Sequence, residues 1–172
     1  MRVTYPVLQV IPVKGREHLS FNLLHFHFFR NSEKEGFLFF GRNWLITLLI
    51  VIPYILALEA IYFRRKRFFV KLEGYIVGIF AFREKLETLH IDSLAVAPEY
   101  RKRGIATYIL TYTSKLARKM SKKWLELSVL KTNIPALQLY KKLRFVKKEE
   151  RMWSFILRKR LKSGYLPSCP QV

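Results

Sequence analysis

Hydrophobic and polar positions repeat along this chain with two periods, and these divide most of it into strands and helices before any chemistry is considered. Residues 7–13, Val-Leu-Gln-Val-Ile-Pro-Val, read as a first strand, and Arg16–Arg30 as a helix gathering Leu19, Leu23, Leu24 and Phe28 near one face. A polar break, Asn31–Gly36, follows. Phe68–Leu72 and Tyr75–Phe82 have strand character and are joined by Glu73-Gly74, a two-residue hairpin signal; Thr88–Val96 supplies the next strand. Apolar residues then recur at Ile105, Ile109, Tyr112, Leu116 and Met120, predicting an amphipathic helix whose Lys and Arg residues gather at the C-terminal end, where they suit its dipole. Trp124–Leu130 is a further strand, and a short helix starts near Pro135. Phe145–Glu149 with Met152–Leu157 form a closing hairpin. The pattern is that of one α+β domain over 1–160, with a flexible tail at 161–172.

One segment breaks the pattern. From Trp44 to Phe63 twenty residues hold a single charged side chain, Glu59, and one helix breaker, Pro53. A helix of that length spans roughly 30 Å, the thickness of a bilayer's hydrocarbon core. Arg64-Arg65-Lys66-Arg67 follows directly, as a cytoplasmic flank would. A single crossing would strand the first strand and helix on the far side from their sheet. The segment is therefore expected to be a helical insert at 44–63 that bends back near Pro53, lies in a membrane interface, or is buried in the core or in a homodimer contact. Membrane association is the expectation, with the rest of the chain in the cytoplasm.

Charge changes the picture further. Lys and Arg total 32 against 12 acidic residues, for a net charge of +20. Residues 1–63 hold 6 of the basic and 4 of the acidic side chains, so the positive field belongs to the rest of the chain. Such a field attracts phosphates, nucleic acid or an anionic membrane, and charge alone does not choose among them. Cys169 is the single cysteine, so no internal disulfide forms. His25 and His27 alternate with Phe26 and Phe28 and lack companion ligands, so no metal site is expected. Met1 is not followed by the basic, apolar and small-residue pattern of a secretory signal.

The most informative block is 92–106, Asp-Ser-Leu-Ala-Val-Ala-Pro-Glu-Tyr-Arg-Lys-Arg-Gly-Ile-Ala, in which a strand runs through a proline into a basic turn and then a helix. The first N–H groups of a helix have no intrahelical partner and, with the positive end of the dipole, face any anion placed there, so this layout suits a pyrophosphate. Gly104 lets the backbone come close. The block resembles the acetyl-CoA signature of the GNAT superfamily of N-acetyltransferases, Arg/Gln-x-x-Gly-x-Gly/Ala, with Arg101, Gly104 and Ala106 at its fixed positions. Two stretches, His90–Thr107 and Thr132–Phe145, are similar to the archaeal N-terminal acetyltransferases, and the apolar insert stands where the camello-like membrane acetyltransferases carry theirs.

The resemblance implies the GNAT fold, a mixed central sheet flanked by helices, and acetyl transfer from acetyl-CoA to a primary amine of a peptide N-terminus, a lysine or a small molecule. It implies that Leu94, Ala95 and Val96 pair with pantetheine, that Arg101, Lys102, Arg103, Gly104, Ile105, Ala106 and Thr107 hold the pyrophosphate, and that Asn133 contacts the cofactor. Tyr140, seven residues beyond Asn133, takes the family's place for the acid that protonates the departing thiolate. For the base, His90 aligns with a histidine used by some N-terminal acetyltransferases. Ser128 stands where the ribosomal-protein acetyltransferases carry a glutamate, and Glu126 lies two residues earlier on the same strand face. A water chain is the third alternative. Arg144 replaces a glycine common in relatives, which puts the turn geometry there in question. The short turn Lys147–Arg151 lacks the longer loop by which N-terminal acetyltransferases grip a peptide. A non-enzymatic alternative is a basic RNA- or anionic-lipid-binding module on the same fold without turnover, although nucleic acid is not the expected partner.

Overall fold

The computed structural model describes residues 8–14, 17–30 and 65–161, the side chains of 19 and 25–30 excepted. The expected insert Trp44–Phe63, the break Asn31–Gly36 and the tail beyond Leu161 lie outside the described residues. In chain order the elements are β1 (Leu8–Pro12), α1 (Glu17–Arg30), β2 (Lys66–Leu72), β3 (Tyr75–Glu84), β4 (Thr88–Val96), a 3-10 turn (Pro98–Tyr100), α2 (Ile105–Lys119), β5 (Trp124–Leu130), α3 (Ile134–Lys142), β6 (Val146–Glu150) and β7 (Ser154–Arg160). Seven strands form one mixed sheet in the order β1-β2-β3-β4-β5-β7-β6. Two compact units divide the chain. The first takes the residues up to Arg83 with Asp92–Ala106, the second Glu84–Ile91 with the residues from Thr107 onward, and β4 runs from the second into the first.

In the first unit, β2 pairs antiparallel with both β1 and β3. The Glu73-Gly74 turn works as the sequence predicts: both residues have positive φ, 51° and 86°, the geometry whose twist matches a two-residue hairpin. Phe68 stacks on Phe80, its cross-strand partner, at 5.0 Å, and on Phe82 at 5.4 Å. The buried cluster is Val13, Phe21, Phe69, Ile79, Ala81, Ala95 and Ala97. Among the described side chains of α1, Phe21 and Asn22 are buried and Leu24 packs against the cluster, whereas Leu23 is 52% exposed. The expectation for Leu23 is thus corrected, while Leu19 and Phe28 lie outside the described side chains. Phe21 tilts against Phe69 at 5.9 Å and lies under the Arg67 guanidinium, so an aromatic outcompetes the neighbouring leucine for the sheet.

Asp92, on β4, is also buried in this unit. It is held by Arg65 at 3.1 Å and Arg83 at 3.2 Å. Removing one partner of such a buried pair typically costs about 3–5 kcal/mol, because a charge is left without compensation.

In the second unit β5 runs parallel to the start of β4, and β7 lies between β5 and β6, antiparallel to both. The α2 helix buries Ile105, Ile109, Leu110, Thr113, Ser114 and Ala117, while Tyr112, Leu116 and Met120 are only half-buried. The predicted stripe is therefore rotated. Small residues at 113, 114 and 117 let the helix pack closely, and the two hydroxyls are satisfied within the helix. Thr113 donates to the Ile109 carbonyl at 2.9 Å and Ser114 to that of Leu110 at 2.6 Å. Ile109 and Leu110, almost wholly removed from water, each contribute about 1.5–3 kcal/mol.

The closing hairpin forms as expected, both strands starting slightly later than the predicted bounds; the short turn expected at Lys147–Arg151 is corrected, since 147–150 belong to β6 and the connection is 151–153, closed by the Arg151 N–H donating to the Ser154 carbonyl at 2.8 Å.

Candidate active site

The end of β4 and the turn after it carry the residues expected to hold the cofactor. Ala95 and Val96 are buried and Leu94 half-buried on β4, and the Ala97 N–H donates to the Val77 carbonyl at 3.0 Å, fixing the strand end to β3. Pro98 opens the 3-10 turn, where its fixed φ suits a first helical position. The Arg101 Nε donates to the Val96 carbonyl at 3.2 Å, so this side chain braces the turn against the strand. The Arg103 guanidinium sits 5.3 Å from the Tyr100 ring centroid. Lys102 and Gly104 both have positive φ, 60° and 82°, curling the backbone before Ile105 and Ala106 begin α2. Backbone curled this way in front of a helix N-terminus makes an anion-binding concavity.

What Gly104 supplies is its φ. A Cβ built there meets nothing within 4 Å, so open space is not the constraint; a side chain in the left-handed region is strained whatever room it has. Thr107 follows on α2.

Asn133 and Tyr140 share α3. Asn133 is its N-cap, with Oδ1 accepting from the Ala136 N–H at 3.2 Å. Tyr140, two turns later, is 8% exposed, its ring tilted against Phe145 at 5.7 Å. Burial pushes its phenol up to about 12, so it is protonated at any physiological pH. Arg144 settles the question raised by the missing glycine. It takes a positive φ of 63°, with the Arg144 N–H on the Lys141 carbonyl at 3.0 Å and the Phe145 N–H on that of Tyr140 at 2.9 Å. This is the Schellman cap that a glycine would make, at a conformational cost of about 1–2 kcal/mol for a side-chain-bearing residue.

The two base candidates are neighbours. Parallel pairing puts His90 directly beside Glu126, both buried, with His90 Nδ1 3.9 Å from Glu126 Oε2. A residue not foreseen completes the group. Lys148 Nζ donates to Glu126 Oε1 at 2.7 Å. The β6–β7 register shifts between Lys147 and Glu149, leaving Lys148 as the extra residue of a bulge, and nothing in the run Lys147-Lys148-Glu149-Glu150 signals that shift. Arg158, cross-strand from Glu126, stacks over Trp124 at 4.4 Å. Ser128 is exposed on β5. Among the described residues no group of three His, Cys, Asp or Glu side chains is placed to hold a metal ion.

A mixed seven-stranded sheet with a curled basic turn opening the helix after β4 is the GNAT fold. The sequence matches the acetyltransferase (GNAT) family over residues 29–145, and the chain belongs to that family. Solved structures of the same fold include the PaiA N-acetyltransferase from Thermoplasma acidophilum in complex with coenzyme A, at 12% identity and TM-score 0.68 over 90% of this chain and 99% of that one. Ard1 from Thermoplasma volcanium has 15% identity and TM-score 0.64 over 90% and 98%. A GNAT family acetyltransferase from Elizabethkingia anophelis with acetyl-CoA bound has 18% identity and TM-score 0.61, also over 90% and 98%. No curated protein matches the sequence. The chain is an acyl-CoA-dependent N-acetyltransferase, and its acyl donor is acetyl-CoA.

Gly104→Val forces a β-branched side chain into a φ of +82°, and the turn should lose the shape expected to receive the pyrophosphate. Calorimetry on the folded variant should show acetyl-CoA binding at least about tenfold weaker, the loss of one good charge-assisted contact; an unchanged affinity refutes this placement of the cofactor.

Proposed function

We propose that this enzyme acetylates a primary amine by direct attack on acetyl-CoA, with His90 accepting the amine proton and Tyr140 protonating the coenzyme A thiolate. The observation that carries the base assignment is the buried His90–Glu126 pair, with the exposed Lys148 reaching its carboxylate. Glu126 Oε1 is already taken up by the Lys148 ammonium, and a carboxylate beside an imidazole supports the imidazolium that forms when His90 takes a proton. His90 is thus the base and Glu126 its anionic support. The amine nitrogen bonds to the thioester carbon, giving a tetrahedral oxyanion. Its collapse breaks the carbon–sulfur bond, and the products are the N-acetyl amine and coenzyme A.

For Tyr140 the magnitudes are informative. A phenol at about 12 faces a thiol whose ordinary value is about 8.5, so full transfer to a solvated thiolate is uphill by about 5 kcal/mol. A thiolate released beside a desolvated phenol is itself desolvated, which raises its proton affinity in the same direction. The two values therefore move together, and the phenol serves first as a hydrogen-bond donor to the developing charge. The positive field of the chain favours acceptors whose remaining groups are anionic, whether a peptide N-terminus, a lysine or a small amine.

We also propose membrane association through Trp44–Phe63, on the sequence argument alone. Among the described residues no helix is long and apolar enough to cross a membrane. With tags at Met1 and Val172, protease protection should find both on one side, and the protein should resist high salt but yield to detergent, because salt screens the basic flank and leaves apolar burial intact. Recovery wholly in the soluble fraction, or tags on opposite sides, rules this topology out.

Tyr140→Phe should lower kcat by about 10²-fold or more with acetyl-CoA affinity nearly intact, since general acid catalysis is typically worth 10² to 10⁴. Assays of free thiol release over a panel of amines measure this, and a small effect returns Tyr140 to a packing role.

The pH profile separates the bases. In the parent enzyme kcat/KM should rise with pH as His90 deprotonates, and His90→Ala should lose that acid limb. Lys148→Met removes a positive charge from the group, so the limb should move to higher pH, and Lys148→Arg should restore it. An acid limb unchanged in His90→Ala defeats the assignment and favours a water chain.

A further inference from the structure

Lys115 and Arg118 of α2 and Lys159 of β7 line a cavity of about 120 Å³ whose floor includes Leu143 and Phe145. It has the volume of about four waters. Among the described residues no Asp or Glu lines it, and none of the three cations is in an ion pair. Helix-dipole complementarity accounts for Arg118 in the last turn of α2. It does not account for the others. Lys159 stands on the strand face shared by Leu157 and opposite Leu125, where the two-residue period calls for an apolar side chain. Arg144 occupies a left-handed cap position that a glycine fills without strain, and its charge reaches Lys159. Burial, then Arg118, then Arg144 push the Lys159 ammonium below its ordinary value, so the group holds like charges together in partly desolvated surroundings.

We propose that this cavity is an anion site for a phosphoryl group, carried by a soluble phosphomonoester or by a lipid headgroup. A phosphomonoester brings nearly two charges and three strong acceptor oxygens, matching several convergent cations, whereas one carboxylate leaves the group strongly positive. Arg118 offers a planar fork, Lys115 and Lys159 point charges, and the Leu143 and Phe145 floor receives the ester carbon. The site is separate from the cofactor turn. Arg118 lies thirteen residues beyond Ile105, so roughly 20 Å along the helix axis from the end that meets acetyl-CoA.

The test is calorimetry with inorganic phosphate on the full chain, with coenzyme A saturating the pyrophosphate turn and chloride holding ionic strength constant. The parent protein should bind phosphate, and an Arg118→Gln/Lys159→Met variant should bind it at least about tenfold more weakly. A second readout guards against misfolding. Without phosphate, Lys159→Met should raise Tm by relieving repulsion while keeping the contact with Phe145. With phosphate at roughly tenfold its Kd the parent should gain about 3 °C or more and the double variant nothing. Sedimentation with phosphatidylcholine vesicles, with and without phosphatidic acid, distinguishes the sources: recruitment by phosphatidic acid that the double variant loses identifies a lipid headgroup, and phosphate binding without such recruitment identifies a soluble ligand. No phosphate binding by the parent protein, or equal affinity in parent and double variant, overturns the proposal.

Discussion

The parallel register that sets His90 beside Glu126 is the constraint on which the buried polar group, and with it the proposed base, depends. Neither group could be buried alone on a central strand, because an isolated ionised carboxylate taken from water costs several kcal/mol and would neutralise instead. Together, and with Lys148 reaching in from the sheet edge, they form a group whose charge is shared across three strands, β4, β5 and β6. A one-residue slip between β4 and β5 would turn every side chain to the opposite face. It would bring Leu89 or Ile91 to the carboxylate in place of the imidazole. The leucines that alternate with Glu126, Leu125 and Leu127, are buried, and it is their burial that holds the register.

The helix after β4 serves two ends with different rules. At its start the backbone is curled by two left-handed residues, Lys102 and Gly104, and a φ of +82° at 104 favours glycine there. Farther along, the same helix is a packing element whose buried stripe contains a threonine, a serine and an alanine. The hydroxyls return their hydrogen bonds to the helix's own carbonyls, so polar residues sit in the core without an unmet donor.

What could be read in the sequence follows from the range of each signal. The hairpin at Glu73-Gly74 and the strand–Pro–basic turn–helix order at 88–119 are local, carried by neighbouring residues whose backbone demands are specific, and both stand where expected. The seven-residue step from Asn133 to Tyr140 is equally local, fixed by one helix. The buried face of α2 was misread because periodicity counts apolarity, and Thr113 and Ala117 win their places by size. On α1, Phe21 beats Leu23 through an aromatic partner, Phe69, dozens of residues away. Lys148 was invisible because its role depends on a bulge in an edge strand pairing with β7, a fact of register that no single residue announces. His90 and Glu126 were each legible as bases in isolation; that they act as one group is a statement about strand neighbours.

The strong positive charge becomes intelligible once its members are sorted by what each one meets. Arg65 and Arg83 enclose Asp92, and Lys148 holds Glu126; in these pairs the cation is matched to a buried carboxylate and is part of the fold. Lys131 and Lys147 converge on Glu150 and hold its carboxyl down to about 2, so even the exposed edge hairpin pairs charges where it can. Arg101 and Arg103 have a different logic, one bracing the turn against a backbone carbonyl and the other lying against an aromatic ring. Such contacts fix a cation's position, and an anion site needs its cations held in place. The net charge of the chain therefore reflects such placements as much as solvated surface.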